Sequence, residues 1–142
     1  YYCNYLYNST VRAVLGSGLT AGASSDGFYV DLTPPQFDSD IMNQIYIDVT
    51  QGEFTPVKYQ ASSDTIKAFW YCYDEQSMIK ENMWAIGTSI GGEDIQPYIS
   101  VGIKQLGINS SLEGVLKTNH TYYASIRCVN GGGQMAEWND HI

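Results

Sequence analysis

The run "YYASIRCVNGGG" (Tyr122–Gly133) decides the fold. Up to Asn130 it alternates, with Tyr122, Ala124, Ile126 and Cys128 on one parity and Tyr123, Ser125 and Arg127 on the other. Successive side chains of an extended strand point to opposite faces, so the first set reads as inward and the second as outward. Gly131–Gly133 then read as a hairpin turn into a closing segment, Gln134–Ile142, because glycine alone accepts positive φ freely. A loop that lets a ligand approach is the lesser reading of those glycines.

Outward from this run the same alternation recurs. "TIKAFWYCY" (Thr65–Tyr73) sets Ile66, Ala68, Trp70 and Cys72 against Lys67, Phe69 and Tyr71. "NMWAIGT" (Asn82–Thr88), "IQPYISVGI" (Ile95–Ile103) and "SLEGVL" (Ser111–Leu116) read as further strands. "DIMNQIYIDVT" (Asp40–Thr50) and "FTPVKYQ" (Phe54–Gln60) read as edge strands, where Pro56 is tolerated. Turn signals fall roughly every 8–12 residues and no segment carries helical periodicity, which predicts an all-β antiparallel sandwich. Twelve Tyr and fourteen Gly suit such a chain.

The front of the chain repeats its back. Laid at an offset of 115 residues, "YNSTVRAVLGSG" (Tyr7–Gly18) matches Tyr122–Gly133 at Tyr7/Tyr122, Val11/Ile126, Arg12/Arg127, Val14/Val129, Gly16/Gly131 and Gly18/Gly133. "SSDGF" (Ser24–Phe28) falls on "WNDHI" (Trp138–Ile142) with a one-residue slip. Self-similarity at domain length means tandem domains. Residues 1–33 therefore read as the closing strands of a preceding repeat, ending in the "TPP" joint, and residues 36–142 as a second repeat that lacks most of its final strand.

Composition narrows the function. The net charge is −8 and the seven Lys and Arg are scattered, which speaks against a nucleic-acid partner. No apolar run is long enough for a membrane-spanning helix, so membrane insertion is not expected. Lacking an initial Met and a leader, the chain reads as a mature or excised piece. Asn8, Asn109 and Asn119 each begin an N-x-[ST] sequon, the acceptor for N-glycosylation in a secreted protein, with Ser/Thr/Asn-rich composition as the bland alternative. Covalent glycans are thus the only non-protein groups expected, with no cofactor.

The motifs together are similar to a known family. Trp70 on an early strand, Tyr122 opening a late one and the run "YYASIRCVN" resemble a fibronectin type III-like (immunoglobulin-like) sandwich. The likeness is closer to divergent tandem repeats of extracellular proteins, which carry "SDG-x-x-V-D-x-T-P-P" (Ser25–Pro35), "D-x-x-S-x-I" (Asp74–Ile79) and "W-A-I-G-T" (Trp84–Thr88). The resemblance implies a core of Trp70, Trp84, Tyr122 and Ile126, with Tyr122 as a tyrosine corner bonded to nearby backbone. It departs at Asn82, where the family often places an aromatic, and at two cysteines that family repeats often lack.

Cys72 and Cys128 both fall on inward faces at one end of such a sandwich, which favours a disulfide over two buried thiols in an extracellular setting. Cys3 is left over, to pair outside the segment or stay free. Asp31, Asp38, Asp40 and Asp48 flank the joint and Glu93–Asp94 sit on a loop, but no calcium-loop spacing is present. A solvated acidic face is the preferred reading, so no metal site is assigned. His120 and His141 form no nucleophile or metal motif, so no catalytic residue is assigned and no enzyme is expected. Asp74 and Ser77 read as bonding the backbone of their own loop. Phe69, Tyr71, Tyr73 and Tyr123 form an outward aromatic set, for packing on a neighbouring module or stacking on a sugar.

The expectation is a structural extracellular glycoprotein module in a linear array or filament, partnered by copies of itself or by neighbouring repeats. Its candidate donor strand is Gly27, Phe28, Tyr29, Val30, Asp31, Leu32 and Thr33, with Tyr7–Leu15 as a candidate beside it, offered to an open sheet edge elsewhere. The alternative is an adhesion or receptor ectodomain that binds a protein or glycan.

Overall fold

The computed structural model describes residues 5–38 and 59–141. Cys3, Asp40, Asp48 and Pro56, all of Asp40–Thr50 and most of Phe54–Gln60 lie outside them. The described residues contain no helix, and every strand pair is antiparallel. The chain divides into two compact units, Tyr1–Leu32 and Thr33–Ile142.

The first unit holds four short strands, β1 (Leu6–Tyr7), β2 (Thr10–Val14), β3 (Thr20–Ser24) and β4 (Phe28–Tyr29). β2 and β3 form a hairpin, and β1 pairs with β4. Every residue of these strands is exposed.

The second unit is built on a four-stranded sheet in the order β12-β11-β8-β9. Its strands are β8 (Ile79–Gly87), β9 (Gln96–Gly102), β11 (Tyr123–Asn130) and β12 (Met135–His141). Packed on one face are two shorter ladders: β6 (Ile66–Phe69) with β10 (Leu106–Asn109), and β7 (Cys72–Tyr73) with β5 (Gln36–Phe37). The expected strand Thr65–Tyr73 is interrupted because it changes partners. The Trp70 amide still donates to Gln105 on the β10 side, while the Tyr71 carbonyl already accepts from Asp38 on the β5 side.

The core fills the space between these layers. Ile66, Ala68, Trp70 and Cys72 come from β6 and its continuation, Trp84 and Ile86 from β8, and Ala124, Ile126 and Cys128 from β11, with Tyr122 and Leu112 closing one end. Trp70, Trp84 and Ile126 are fully buried, and each such side chain contributes on the order of 1.5–3 kcal/mol. Cys72 and Cys128 are joined by a disulfide that ties β7 to β11 across the layers. It spans 56 residues, and the loop-closure entropy it removes from the unfolded chain corresponds to about 4 kcal/mol.

The fold departs from the sequence-based expectations in several places. Ser111–Leu116 is not a strand: Glu113–Val115 form a turn closed by a bond from the Val115 amide to the Leu112 carbonyl (2.9 Å). Gly114 takes φ +76° there, in the left-handed region outside the extended conformation of a regular strand. The strand lies earlier, in β10, whose short apolar content hides it and whose inner residue is Gly107. Ser125 has the outward parity but is fully buried, because Tyr98 reaches it across the outer face of the sheet. Arg127 lies 3.6 Å over the Tyr98 ring and donates to Glu137 at 2.8 Å, completing that cover. Within the expected closing segment Gln134–Ile142 the strand is β12 (Met135–His141). β12 pairs with β11 from Val129↔Met135 to Tyr123↔His141, along nearly all of its length.

Candidate functional site

The two hairpins share one register. In the first unit the pairs run Thr10↔Ser24, Val11↔Ala23, Arg12↔Gly22, Ala13↔Ala21 and Val14↔Thr20. In the second they run Ser125↔Asn139, Ile126↔Trp138, Arg127↔Glu137, Cys128↔Ala136 and Val129↔Met135, each 115 residues further on at both ends. The turns agree bond for bond. Leu15 N–H donates to Leu19 O as Asn130 N–H does to Gln134 O, and Gly18 N–H to Leu15 O as Gly133 N–H does to Asn130 O. Gly18 and Gly133 take φ +84° and +82°. The offset holds through Ser24 and Asn139, so the one-residue slip does not arise within the hairpin. It arises beyond, at Gly27 (φ +94°), after which Tyr7↔Phe28 resumes one residue out of register with rings 5.8 Å apart.

What surrounds the two hairpins differs. In the second unit β11 takes β8 on its other edge, with Ile126 opposite Trp84 and Ala124 opposite Ile86. β2 has β3 alone among the described residues. Ile126 is fully buried, whereas its counterpart Val11 is 70% exposed. Tyr122 is 9% exposed and Tyr7 is 50%. A two-stranded hairpin with both faces in water is marginally stable.

The segment Gly27–Thr33 enters strand structure only at Phe28–Tyr29, which β1 already pairs. Val30 and Leu32 are exposed, and Asp31 and Thr33 half-buried. The joint that follows is tied down by Asn130. This fully buried amide donates to Thr33 O (2.8 Å) and to Asp74 Oδ2 (3.0 Å), and its Oδ1 accepts from Gln134 N–H (2.8 Å). The other oxygen of Asp74 accepts from the amides of Gln76 and Ser77 in its own loop. Ser77 instead receives the Gly132 amide on its hydroxyl, linking that loop to the hairpin turn. This side-chain network was not legible in the sequence beyond Asp74's own loop, since Thr33, Asp74 and Asn130 are far apart along the chain.

The sequon asparagines sit in three settings. Asn8 is exposed between β1 and β2. Asn119 is exposed in a turn at φ +61°. Asn109 is half-buried at the end of β10: its Nδ2 donates to Gln96 Oε1 and its Oδ1 accepts from the Ser111 amide, both at 2.9 Å. A glycosidic bond there would replace one Nδ2 hydrogen and leave the other for Gln96.

The Tyr122 hydroxyl accepts from the Lys117 amide at 2.8 Å and lies 3.5 Å from Val115 O, pinning the loop before β11. That loop and residues 59–63 line an open groove of about 550 Å³, floored by Ile66, Leu116 and Tyr122 and rimmed by Asn119 and His120. The outward aromatics do not form one face. Tyr71 and Tyr73, with rings 6.0 Å apart, lie on the β5–β7 side, and Tyr123 is on the four-stranded sheet. Among the described residues no three His, Cys, Asp or Glu side chains are grouped to hold a metal ion, and no helix is long and apolar enough to cross a membrane. Asp94 is committed within its own loop, accepting from the Thr88 amide (2.9 Å) and hydroxyl (2.8 Å). No family model, no curated protein and no solved structure matches this chain.

Proposed function

We propose that this chain is a structural module of an extracellular glycoprotein array, built from fibronectin type III-like β-sandwich repeats that follow one another head to tail. The observation that carries this reading is the pair of hairpins in one register, 115 residues apart in one polypeptide. A chain with one repeat joined to the closing hairpin of another is organised as a series. The inter-layer disulfide fits an oxidising, extracellular setting. The Tyr122 hydroxyl bond to backbone a few residues upstream is the arrangement expected of a tyrosine corner, which supports the sandwich type. Gly27–Thr33 is the coupling segment in this reading, and Val30 and Leu32, two residues apart, supply its apolar contacts by adding to a neighbour's sheet edge. Asn8, Asn109 and Asn119 carry its glycans.

The test is secretion of the chain from eukaryotic cells, together with imaging of the native protein captured by an antibody to residues 59–138. The reading expects a mass that falls on N-glycosidase treatment, and bead-like domains spaced along a line. An unglycosylated native protein, or one forming a single compact particle, overturns it. Loss of glycan-array signal on Tyr71→Ala would favour the adhesive alternative, for which the Tyr71–Tyr73 ring pair is the motivating feature.

A further inference from the structure

We infer that the edge of β2 away from β3, unpaired among the described residues, with the inward-parity face of the β2–β3 hairpin, is a seat for a repeat body laid out like the described residues between 33 and 121 of this chain. Such a body sets a strand of the β8 type alongside β2. The inference rests on the array reading and names the partner of one of its surfaces.

The chain contains its own template for the occupant. β11–β12 and β2–β3 agree in register, turn bonds and glycine conformation. In the template the free edge of β11 is taken by β8, pairing Ser125↔Ala85, Ile126↔Trp84, Arg127↔Met83, Cys128↔Asn82 and Val129↔Glu81. Moved back by 115 residues, Thr10 faces the position of Ala85, Val11 that of Trp84, Arg12 that of Met83, Ala13 that of Asn82 and Val14 that of Glu81. An unpaired strand edge recruits a strand, and its side-chain parity fixes which one fits. Val11 and Tyr7 keep the apolar character of Ile126 and Tyr122 while lying in water, so the seat has the chemistry of a core without its cover.

The differences between the hairpins specify the partner further. Where β11 has Cys128, bonded to Cys72, β2 has Ala13. The seated body therefore makes no inter-layer disulfide to this hairpin. Where the second unit has Asn130, bonded to Asp74, the first has Leu15, which is 63% exposed. An apolar residue in the body at the position of Asp74 suits Leu15, since one oxygen of a carboxylate there would lose the donor that Asn130 gives it in the second unit. The partner is thus a repeat of the same layout without cysteine or aspartate at these two places, rather than a second copy of the described body.

The experiment fuses a second copy of residues 33–121, carrying Cys72→Ala and Asp74→Leu, directly before Tyr7 of the chain. Backbone amide exchange of Val11–Val14 is compared with that in the 142-residue chain alone. The seat predicts exchange about 100-fold slower in the fusion. A second fusion keeps Cys72 in the added body and carries Ala13→Cys. Peptide mapping without reductant should then find these two positions linked, beside the chain's own Cys72–Cys128 bond. Unchanged exchange in β2 overturns the inference, as does an added body that stays unfolded beside a folded residue 33–142 unit, or absence of the cross-link. Protection of β2 that rises with concentration in the chain alone assigns the seat to a second copy and equally overturns it. Each of these outcomes leaves the image of the native assembly, and so the array reading, to be decided separately.

Discussion

Gly107 lies against the indole of Trp84, so close that a Cβ at this position would clash with the Cδ2 and Cε2 atoms of the ring. This contact lets β10 approach the four-stranded sheet. Gly107→Ala must therefore displace either β10 or the fully buried Trp84. Overpacking of this kind costs about 1–3 kcal/mol. The urea midpoint should fall accordingly, and Trp84→Phe in the same chain should recover part of the loss. An unchanged midpoint for Gly107→Ala alone contradicts the packing described.

Asn82 is fully buried, stands opposite Cys128 in the sheet, and among the described residues has no hydrogen-bond partner for either amide atom. An unsatisfied buried amide is destabilising, and removing both polar atoms while keeping the volume relieves that cost. Asn82→Leu is expected to raise stability by about 1–3 kcal/mol. A loss of stability in denaturant titration refutes this, and would point to a group that the Asn82 amide holds in solution.

Tyr122→Phe removes the acceptor for the Lys117 amide while leaving the ring in the core. The expected loss is about 0.5–1.5 kcal/mol, the net value of one hydrogen bond. Amide exchange should separate this from a general loosening. The Lys117 amide should lose protection by much more than the β8 amides do, and equal loss at both would show that the hydroxyl has no local role.

Asp94 gives a pH dependence. The Thr88 amide first, and then the Thr88 hydroxyl, hold its carboxyl below the ordinary value of 3.8. A group whose value is depressed on folding contributes stability at pH above its unfolded value, and the contribution is lost as pH falls through the depressed one. Thr88→Val removes the hydroxyl donor and keeps the amide. The carboxyl should then titrate closer to 3.8 by NMR, and the stability lost on acidification should be smaller, with the loss complete at a higher pH. A titration unchanged by Thr88→Val shows that the hydroxyl bond contributes nothing.

The alternation in Tyr122–Asn130 and Thr65–Tyr73 was enough to place Trp70, Cys72, Ile126 and Cys128 on inward faces, because a period of two leaves no other choice for a strand with one buried side. Ser125 shows the limit of that rule. Its parity is outward, but Tyr98, from a strand distant in sequence, covers it. The strand at Leu106–Asn109 escaped because its inward residue is a glycine, chosen by the Trp84 ring rather than by any local propensity. Ser111–Leu116 looked like a strand by composition, and Gly114 made it a turn.

The sequence by itself determined the β class, the inward faces and the repeat at 115 residues, since each depends on spacing along one chain. The tertiary structure decided that the repeat is also one of hydrogen-bond register, that Asn130 ties Thr33 to Asp74, and that Val11 lies in water while Ile126 is buried. Those facts depend on which segments meet across the fold. Local pattern does not encode that, because the same alternation serves a hairpin whether or not a second layer covers it.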